Sequence, residues 1–170
     1  MSVSVRDAWT LIHGMTFGAL FLLAYAGGIA ELISLRYEDI NSASAAQRVK
    51  RLKLGTTVMA IVAWLTVISG TWIPYVWYRA KIPTSPRSIL LSDPSTAAWH
   101  TFGMEWKEHV AWIAPILATV VAYLVYYFGR RLIREEKVRQ IAMVMYNLAF
   151  VTAAVAGLFG ALITKAAPIK

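Results

Sequence analysis

The sequence predicts an all-α integral membrane protein in which four helices form an up-down bundle. Of its 170 residues, 58% are hydrophobic and only 15% are charged, a more apolar composition than soluble domains usually have. Four apolar stretches reach the length of about 20 residues that a helix needs to cross a bilayer. Basic residues are concentrated between these stretches, which is typical of loops that set membrane topology.

The four predicted helices occupy most of the chain. They run over residues 8–35, 54–77, 105–128 and 138–164, and they leave no room for a separate soluble domain. We therefore expect a single transmembrane domain over residues 1–170. The first helix is too long for the core of a signal peptide and no small-residue cleavage site follows it, so we expect it to be retained.

Glycine and proline positions refine the predicted bundle. Pro115 lies inside the third helix and leaves the carbonyl of Ala111 without its usual donor, so a kink is expected there. Glycines in the first and fourth helices allow other helices to approach closely. These glycines are Gly14, Gly18, Gly27, Gly28, Gly157 and Gly160.

The distribution of positive charge predicts the orientation in the membrane. With four crossings, both termini and the segment after the second helix lie on one side, here called side A, and the loops 36–53 and 129–139 lie on side B. Side B carries ten basic residues in two compact loops, whereas side A carries seven that are spread out. Cytoplasmic loops are the more basic ones, so we expect side B in the cytoplasm and both termini in the periplasm of a bacterial inner membrane. The net charge of +8 then reflects topology and contact with anionic lipid rather than binding of nucleic acid.

Few other residues carry chemistry. The chain has no cysteine, which excludes disulfides, iron–sulfur ligation and thiol catalysis, and it has no phosphate-binding, catalytic-triad or deaminase motif. Within the predicted helices, Glu31 is expected to pair with Arg36 or another basic neighbour, and Asn147 to make an interhelical hydrogen bond. The functional prediction therefore depends on the histidines.

His13 and His109 each lie a few residues inside a predicted helix that starts on side A, so they are expected at similar depth. Imidazole is the commonest metal ligand, and ionisable groups that enter a bilayer mark candidate functional sites. In an up-down bundle, the first and third helices are diagonal, about 12–14 Å apart when neighbours are 8–10 Å apart. That separation suits a haem held between two axial histidines in the bundle core.

The residues around this pair fit the same prediction. Gly14 and Gly18 beside His13, and Gly70 in the second helix, leave space for a macrocycle. The cations expected to bind the propionates on the side-A surface are Arg6, Arg79 and Lys107.

In its architecture and these two histidines, the chain resembles the four-helix membrane b-type cytochromes, which bind haem between histidines on different helices. The resemblance implies one haem b near the periplasmic face, with His13 and His109 as axial ligands; no deeper pair of histidines exists for a second haem. It implies an electron-transfer or accessory subunit of a respiratory or photosynthetic oxidoreductase complex rather than an enzyme by itself. The expected partners are other membrane subunits, the lipid bilayer, and a quinol or periplasmic cytochrome, but no nucleic acid.

Two other interpretations stay open. Glu105 and His109 share one helical face, with Glu108 beside them, and this set suits a divalent metal or a proton relay. Alternatively, the histidines are interfacial residues of a cofactor-free structural membrane subunit. His100 is predicted to be a loop residue rather than a ligand.

Overall fold

A computed structural model describes residues 3–168, which fold as helices joined by short loops, with no strand in that range. The α-helices are α1 (Val5–Leu11), α2 (Phe17–Ser34), α3 (Ala43–Trp72), α4 (Pro74–Tyr78), α5 (Pro86–Ser92), α6 (Glu105–His109), α7 (Ile113–Phe128) and α8 (Glu136–Ala166). Between them lie two π-helical turns, Ile12–Thr16 and Trp99–Met104, and two 3₁₀ turns, Leu35–Tyr37 and Gly129–Ile133.

These elements join into four helical runs that are long and apolar enough to cross a membrane, which confirms the predicted all-helical class with four apolar helices. They are span 1 (Val5–Tyr37), span 2 (Ala43–Tyr78), span 3 (Trp99–Ile133) and span 4 (Glu136–Ala166). Each is longer than predicted because hydropathy locates only the apolar part of a helix. Span 2 begins at Ala43 rather than near Leu54, since the Ser42 hydroxyl accepts a hydrogen bond from the Ala45 N–H at 3.0 Å and caps the polar first turns.

Spans that follow each other in sequence pack together, and span 4 also contacts span 1. Between consecutive spans, a later residue of one span contacts an earlier residue of the other. Spans 1 and 2 meet at His13 with Ser69 and at Glu31 with Arg48. Spans 2 and 3 meet at Trp64 with Thr119 and at Thr57 with Tyr126, and spans 3 and 4 at Phe102 with Phe159 and at Leu132 with Arg139. Spans 1 and 4 meet at Ala24 with Tyr146.

The apolar core divides into a large and a small cluster. The large one fills the middle of the bundle and its side-B half, where Leu32, Leu52 and Tyr146 are fully buried. The small one lies at the side-A end, where Leu90 of α5 packs with Tyr78 and other side chains. The segment between spans 2 and 3 therefore contains a short helix whose apolar side covers that end of the bundle.

Both polar predictions inside the spans are confirmed. The Tyr25 hydroxyl of span 1 donates to Asn147 Oδ1 of span 4 at 2.5 Å. Glu31 pairs with Arg48 and Arg51, at 3.0 and 2.7 Å. Its partners are thus other basic neighbours than Arg36, whose guanidinium lies over the ring of Tyr37.

Candidate functional site

All three histidines lie at irregular stretches of helix near side A. His13 and His100 lie in the two π-helical turns, and His109 is the last residue of α6, just before a break at residues 110–112. This break agrees with the kink expected from Pro115: the Ala111 carbonyl accepts instead from the Ala114 N–H, at 3.2 Å. Single π turns inside α-helices are often found at functional sites.

Each imidazole is held through its Nδ1 atom. The partner is the Ser69 hydroxyl for His13 at 3.2 Å, the Tyr78 hydroxyl for His100 at 2.9 Å, and the Glu105 carbonyl for His109 at 2.9 Å. A carbonyl only accepts, so Nδ1 of His109 carries the proton and Nε2 presents the lone pair. This fixing of one ring nitrogen by a hydrogen bond is typical of histidines that ligate a metal through the other.

The His13 ring is packed against span 2. A Cβ atom built on Gly70 would lie 2.6 Å from His13 Cε1 and 3.2 Å from Nε2. Gly70 therefore makes room for the imidazole itself, rather than for a macrocycle as the sequence suggested. Any substitution at Gly70 would move His13.

Beside His13, the seam between spans 1 and 4 is open. A Cβ atom built on Gly14, Gly18 or Gly157 would meet no atom within 4 Å, and we call these three residues the glycine gap. Gly18 and Gly14 lie seven and eleven residues before Tyr25, which places them on the face of span 1 that Tyr25 turns toward span 4. The prediction that these glycines bring helices together is therefore wrong for the gap.

The same seam is closed further toward side B. The Tyr25 ring stacks on Phe150 with centroids 4.1 Å apart, and the Tyr146 hydroxyl donates to the Ala24 carbonyl at 3.0 Å. Gly28 allows Tyr146 to approach, because a Cβ there would overlap the phenol ring. Close packing through a glycine thus occurs at Gly28, in the side-B half of the molecule, and not at the glycine gap.

Lys107 of α6 points its ammonium group into the bundle. The side chain is half-buried, and a Cβ atom on Gly160 of span 4 would lie 2.5 Å from Nζ. No hydrogen bond or ion pair to Lys107 exists within residues 3–168. The sequence predicted a surface cation, and the structure instead places this charge at the span-4 side of the bundle interior.

His109, by contrast, lies on the outside of α6. Its side chain is 71% exposed and its Nδ1 atom is 3.6 Å from Glu105 Oε2. Arg79 joins this outer cluster by donating to both oxygens of Glu108, at 2.7 and 2.8 Å, and to Glu105 at 3.3 Å. Burial opposes the charge on Arg79, but the hydrogen bonds and negative charge of Glu108 outweigh it and raise the pKa of the guanidinium.

The predicted site residues therefore fall into three places. His13 lies against Gly70 of span 2 and Lys107 against Gly160 of span 4, while His109, Glu105 and Arg79 form the outer cluster. His109 follows Lys107 by two residues, which is about 200° around a helix, so the two cannot face the same way. Arg6 lies elsewhere, over the Trp77 ring and beside a surface pocket of about 380 Å³.

Sequence reasoning missed His100 and the direction of Lys107. His100 is buried, because span 3 starts at Trp99 through a π turn that a search for apolar α-helices does not find. No regular spacing signals the direction of Lys107, because Gly103, four positions before it, lies in the π turn and Ala111, four positions after it, lies in the break.

Chemically, this end of the molecule offers an interior imidazole and amine beside an open seam, and a carboxylate–imidazole cluster on its outer surface. The ligand atoms of Glu105, Glu108 and His109 all lie within 4.8 Å of one another. Comparison of this chain with protein-family models, with curated proteins and with solved structures finds no match.

Proposed function

We propose that this chain is a membrane subunit, with its spans arranged as an up-down bundle, that binds one b-type haem in its side-A half. It relays electrons between a quinol or periplasmic cytochrome and a partner subunit of a larger complex. The observation that carries the proposal is the position of His13, whose half-buried ring is held at Nδ1 by Ser69 directly beside the glycine gap.

The residues at this position fit a haem. Because Nδ1 of His13 is bonded to Ser69, Nε2 is the nitrogen that would ligate the iron. The absence of side chains at Gly14, Gly18 and Gly157 leaves space for the edge of a flat apolar macrocycle. When bound, haem supplies a one-electron carrier; the protein's part is to ligate the iron, to orient His13 and to exclude water.

His109 is the second axial ligand that the sequence suggests. Its ring is 71% exposed here, so ligation by His109 requires α6 to rotate. Such a rotation is possible because α6 has only five residues and lies between a π turn and the break at residues 110–112. Arg6 and Arg79 remain the proposed partners of the propionates at the side-A surface.

The proposed orientation places side B in the cytoplasm of a bacterial inner membrane and both termini in the periplasm. It is supported by the ten basic residues of side B against seven on side A. The haem would then lie close to the periplasmic surface, within reach of a donor on that side.

The optical spectrum of the purified full-length chain tests the proposal. We expect a reduced-minus-oxidised difference band of the b type, its complete loss in His13→Ala, and its retention in His100→Ala, the matched control. Loss of the band in His109→Ala would identify the second ligand. A wild-type chain that stays colourless after expression with haem and after reconstitution would exclude the function.

A divalent-metal site is the second candidate, because the ligand atoms of Glu105, Glu108 and His109 converge within 4.8 Å. Carboxylate and imidazole ligands suit zinc and related ions. Metal analysis after dialysis against zinc is expected to give one bound ion per chain for this candidate, and none in His109→Ala. Zinc that stays bound in His109→Ala would reject it.

A further inference from the structure

We propose that the outer surface of spans 1 and 2 binds an anionic phospholipid of the side-B leaflet. One acyl chain lies in an apolar groove between the two spans, and the phosphate group binds Arg51 at the side-B end of that groove. The groove has a volume of about 400 Å³ and runs from Leu20 to Glu31 along span 1 and from Val58 to Arg51 along span 2; we call it the outer groove. It contains none of the histidines, and the inference is independent of the proposed haem function.

The outer groove exists because glycines lie where the two spans meet. A Cβ atom built on Gly55 would lie 3.7 Å from the Ala24 carbonyl oxygen, which is ordinary van der Waals contact, so the two backbones approach closely here. A Cβ atom built on Gly27 would meet no atom within 4 Å. Leu23 and Leu54, which are 70% and 66% exposed, line the groove from either span. The apolar surface is therefore open to the outside of the bundle, where the acyl chains of a bilayer lie.

The length of the groove matches the depth of one leaflet. Leu20, Gly27 and Glu31 share one face of span 1, because they are separated by seven and by four residues. At 1.5 Å per residue, the distance along the helix from Leu20 to Glu31 is about 16 Å. The hydrocarbon core of a bilayer is about 30 Å thick, so one leaflet contributes about 15 Å of it. A chain in the groove therefore reaches from the charged groups near side B to the middle of the bilayer, as the acyl chain of a phospholipid does.

The side-B end of the groove carries a guanidinium group that can bind phosphate. The side chain of Arg51 is 51% exposed and donates through Nε to Glu31 at 2.7 Å. Its two terminal nitrogens have no hydrogen-bond partner among residues 3–168. Arginine binds phosphate through two parallel N–H groups, and the terminal nitrogens offer such a pair. Glu31 therefore positions Arg51 and leaves the phosphate-binding edge of its guanidinium open.

The charge around this end of the groove favours an anion. Glu31 is paired with Arg48 as well as with Arg51, so its own negative charge is compensated. The loop 36–53 as a whole carries five basic and two acidic residues, and such loops attract anionic lipid. A phospholipid provides the acyl chain and the phosphate in one molecule. An apolar helix of another subunit would fill the groove but leave the terminal nitrogens of Arg51 without an acceptor.

Native mass spectrometry of the full-length protein tests the proposal, after reconstitution with equal amounts of phosphatidylglycerol and phosphatidylcholine that carry the same acyl chains. We expect the wild type to retain one phosphatidylglycerol molecule per chain in preference to phosphatidylcholine. Arg51→Gln should lower the retained phosphatidylglycerol about fivefold, the factor expected for one basic residue at an anionic membrane surface. Lys137→Gln removes an exposed charge of side B outside the groove and should leave retention unchanged.

A second pair of variants tests the groove itself. Gly27→Leu places a side chain in the groove and should displace the acyl chain, so that retention of phosphatidylglycerol falls at least as far as in Arg51→Gln. The fold should tolerate this change, because a Cβ atom at Gly27 meets no other atom within 4 Å. Ala26→Leu adds the same side chain at the adjacent exposed position, which does not line the groove, and should bind lipid as the wild type does.

Several results would overturn the inference. They are equal retention of the two lipids by the wild type, undiminished retention in Arg51→Gln, and equal retention in Gly27→Leu and Ala26→Leu. A wild-type dimer that Gly27→Leu converts to a monomer without loss of lipid would show that the groove holds a second copy of this chain instead. If Arg51→Gln does not accumulate, Gly27→Leu and its control decide. A protein that retains phosphatidylglycerol as expected but binds no haem leaves this inference standing and excludes only the haem function.

Discussion

In the side-B half of the molecule, spans 1 and 4 are joined by Tyr25, Tyr146 and Phe150, whereas in the side-A half the same two spans present glycines to open space. The side-B half also holds the Glu31 ion pairs, and spans 1 and 3 end there in the two 3₁₀ turns. The side-A half contains both π turns, all three histidines and the half-buried Lys107. The contrast suggests that one half stabilises the fold and leaves the other free to carry chemistry.

Removing the Tyr146 side chain is the most severe test of this contrast. Tyr146 is fully buried, stacks on Tyr25 and fills the space beside Gly28. We expect Tyr146→Ala to lower the free energy of unfolding by about 3–5 kcal/mol, as for other large buried aromatic residues. Unfolding by a denaturing detergent, followed by circular dichroism, measures the loss.

Tyr123→Ala is the control for Tyr146→Ala. Tyr123 lies on the outer surface of span 3 and is 62% exposed, so its removal should change the free energy of unfolding by less than about 0.5 kcal/mol. Equal losses in the two variants would show that the side-B half is not the stabilising half.

Two glycine-to-alanine changes compare a filled with an open position. In Gly70→Ala, the new methyl group would overlap the His13 ring, and we expect a loss of about 1–3 kcal/mol in the free energy of unfolding from overpacking. In Gly14→Ala, the methyl group enters open space, and better helix propensity should leave stability unchanged or raise it by up to about 1 kcal/mol. Thermal unfolding of both variants measures the difference, and a destabilised Gly14→Ala would mean that the glycine gap is closed.

Tyr25→Phe probes the polar contact that joins spans 1 and 4. The change keeps the ring stack with Phe150 and removes only the hydrogen bond to Asn147. Hydrogen bonds between membrane helices contribute about 0.6 kcal/mol on average, so we expect a loss of that size in detergent unfolding. If the loss equals that of Tyr146→Ala, the hydrogen bond to Asn147, and not the packing of the aromatic rings, is the main contact that stabilises the seam between spans 1 and 4.

The smallest expected effect concerns pH. Hydrogen bonds from Ser44 and then Arg48 lower the pKa of Glu38, in the side-B loop, below its ordinary value of 4.5. A carboxyl group with a lowered pKa in the folded state stabilises the fold above its unfolded pKa, and this stabilisation is lost as pH falls through the folded pKa. Unfolding of the wild type should therefore become easier below pH 4.5, and Glu38→Gln should weaken this dependence. An identical pH profile in the two proteins would contradict the assignment.

The parts of the fold that depend on composition were predictable, and the parts that depend on helix rotation were not. Hydropathy located the four spans, and the rarity of polar residues inside them identified Glu31 and Asn147 as makers of side-chain contacts. The inward position of Lys107 was not predictable from its place near a helix end. A π turn on one side and a break on the other reset the rotation of α6, and a pattern with a period of 3.6 residues cannot follow such changes.

The glycines show the same limit in another way. A small residue permits close approach but does not require it: Gly28 is filled by Tyr146, whereas Gly14 faces open space. Which of the two occurs depends on the side chain across the seam. That side chain belongs to a distant part of the sequence, and only the folded chain identifies it.

The one-sided closure of the seam between spans 1 and 4 also has a mechanical consequence. Two helices that touch near one leaflet and separate near the other form a wedge, whose cross-section grows in a single leaflet when the glycine gap is filled. An occupant that fills the gap then has to push lipid chains apart in that leaflet alone, against its lateral pressure. Lipids that change the crowding of acyl chains in that leaflet should shift how readily the gap fills, without contacting any residue that lines it.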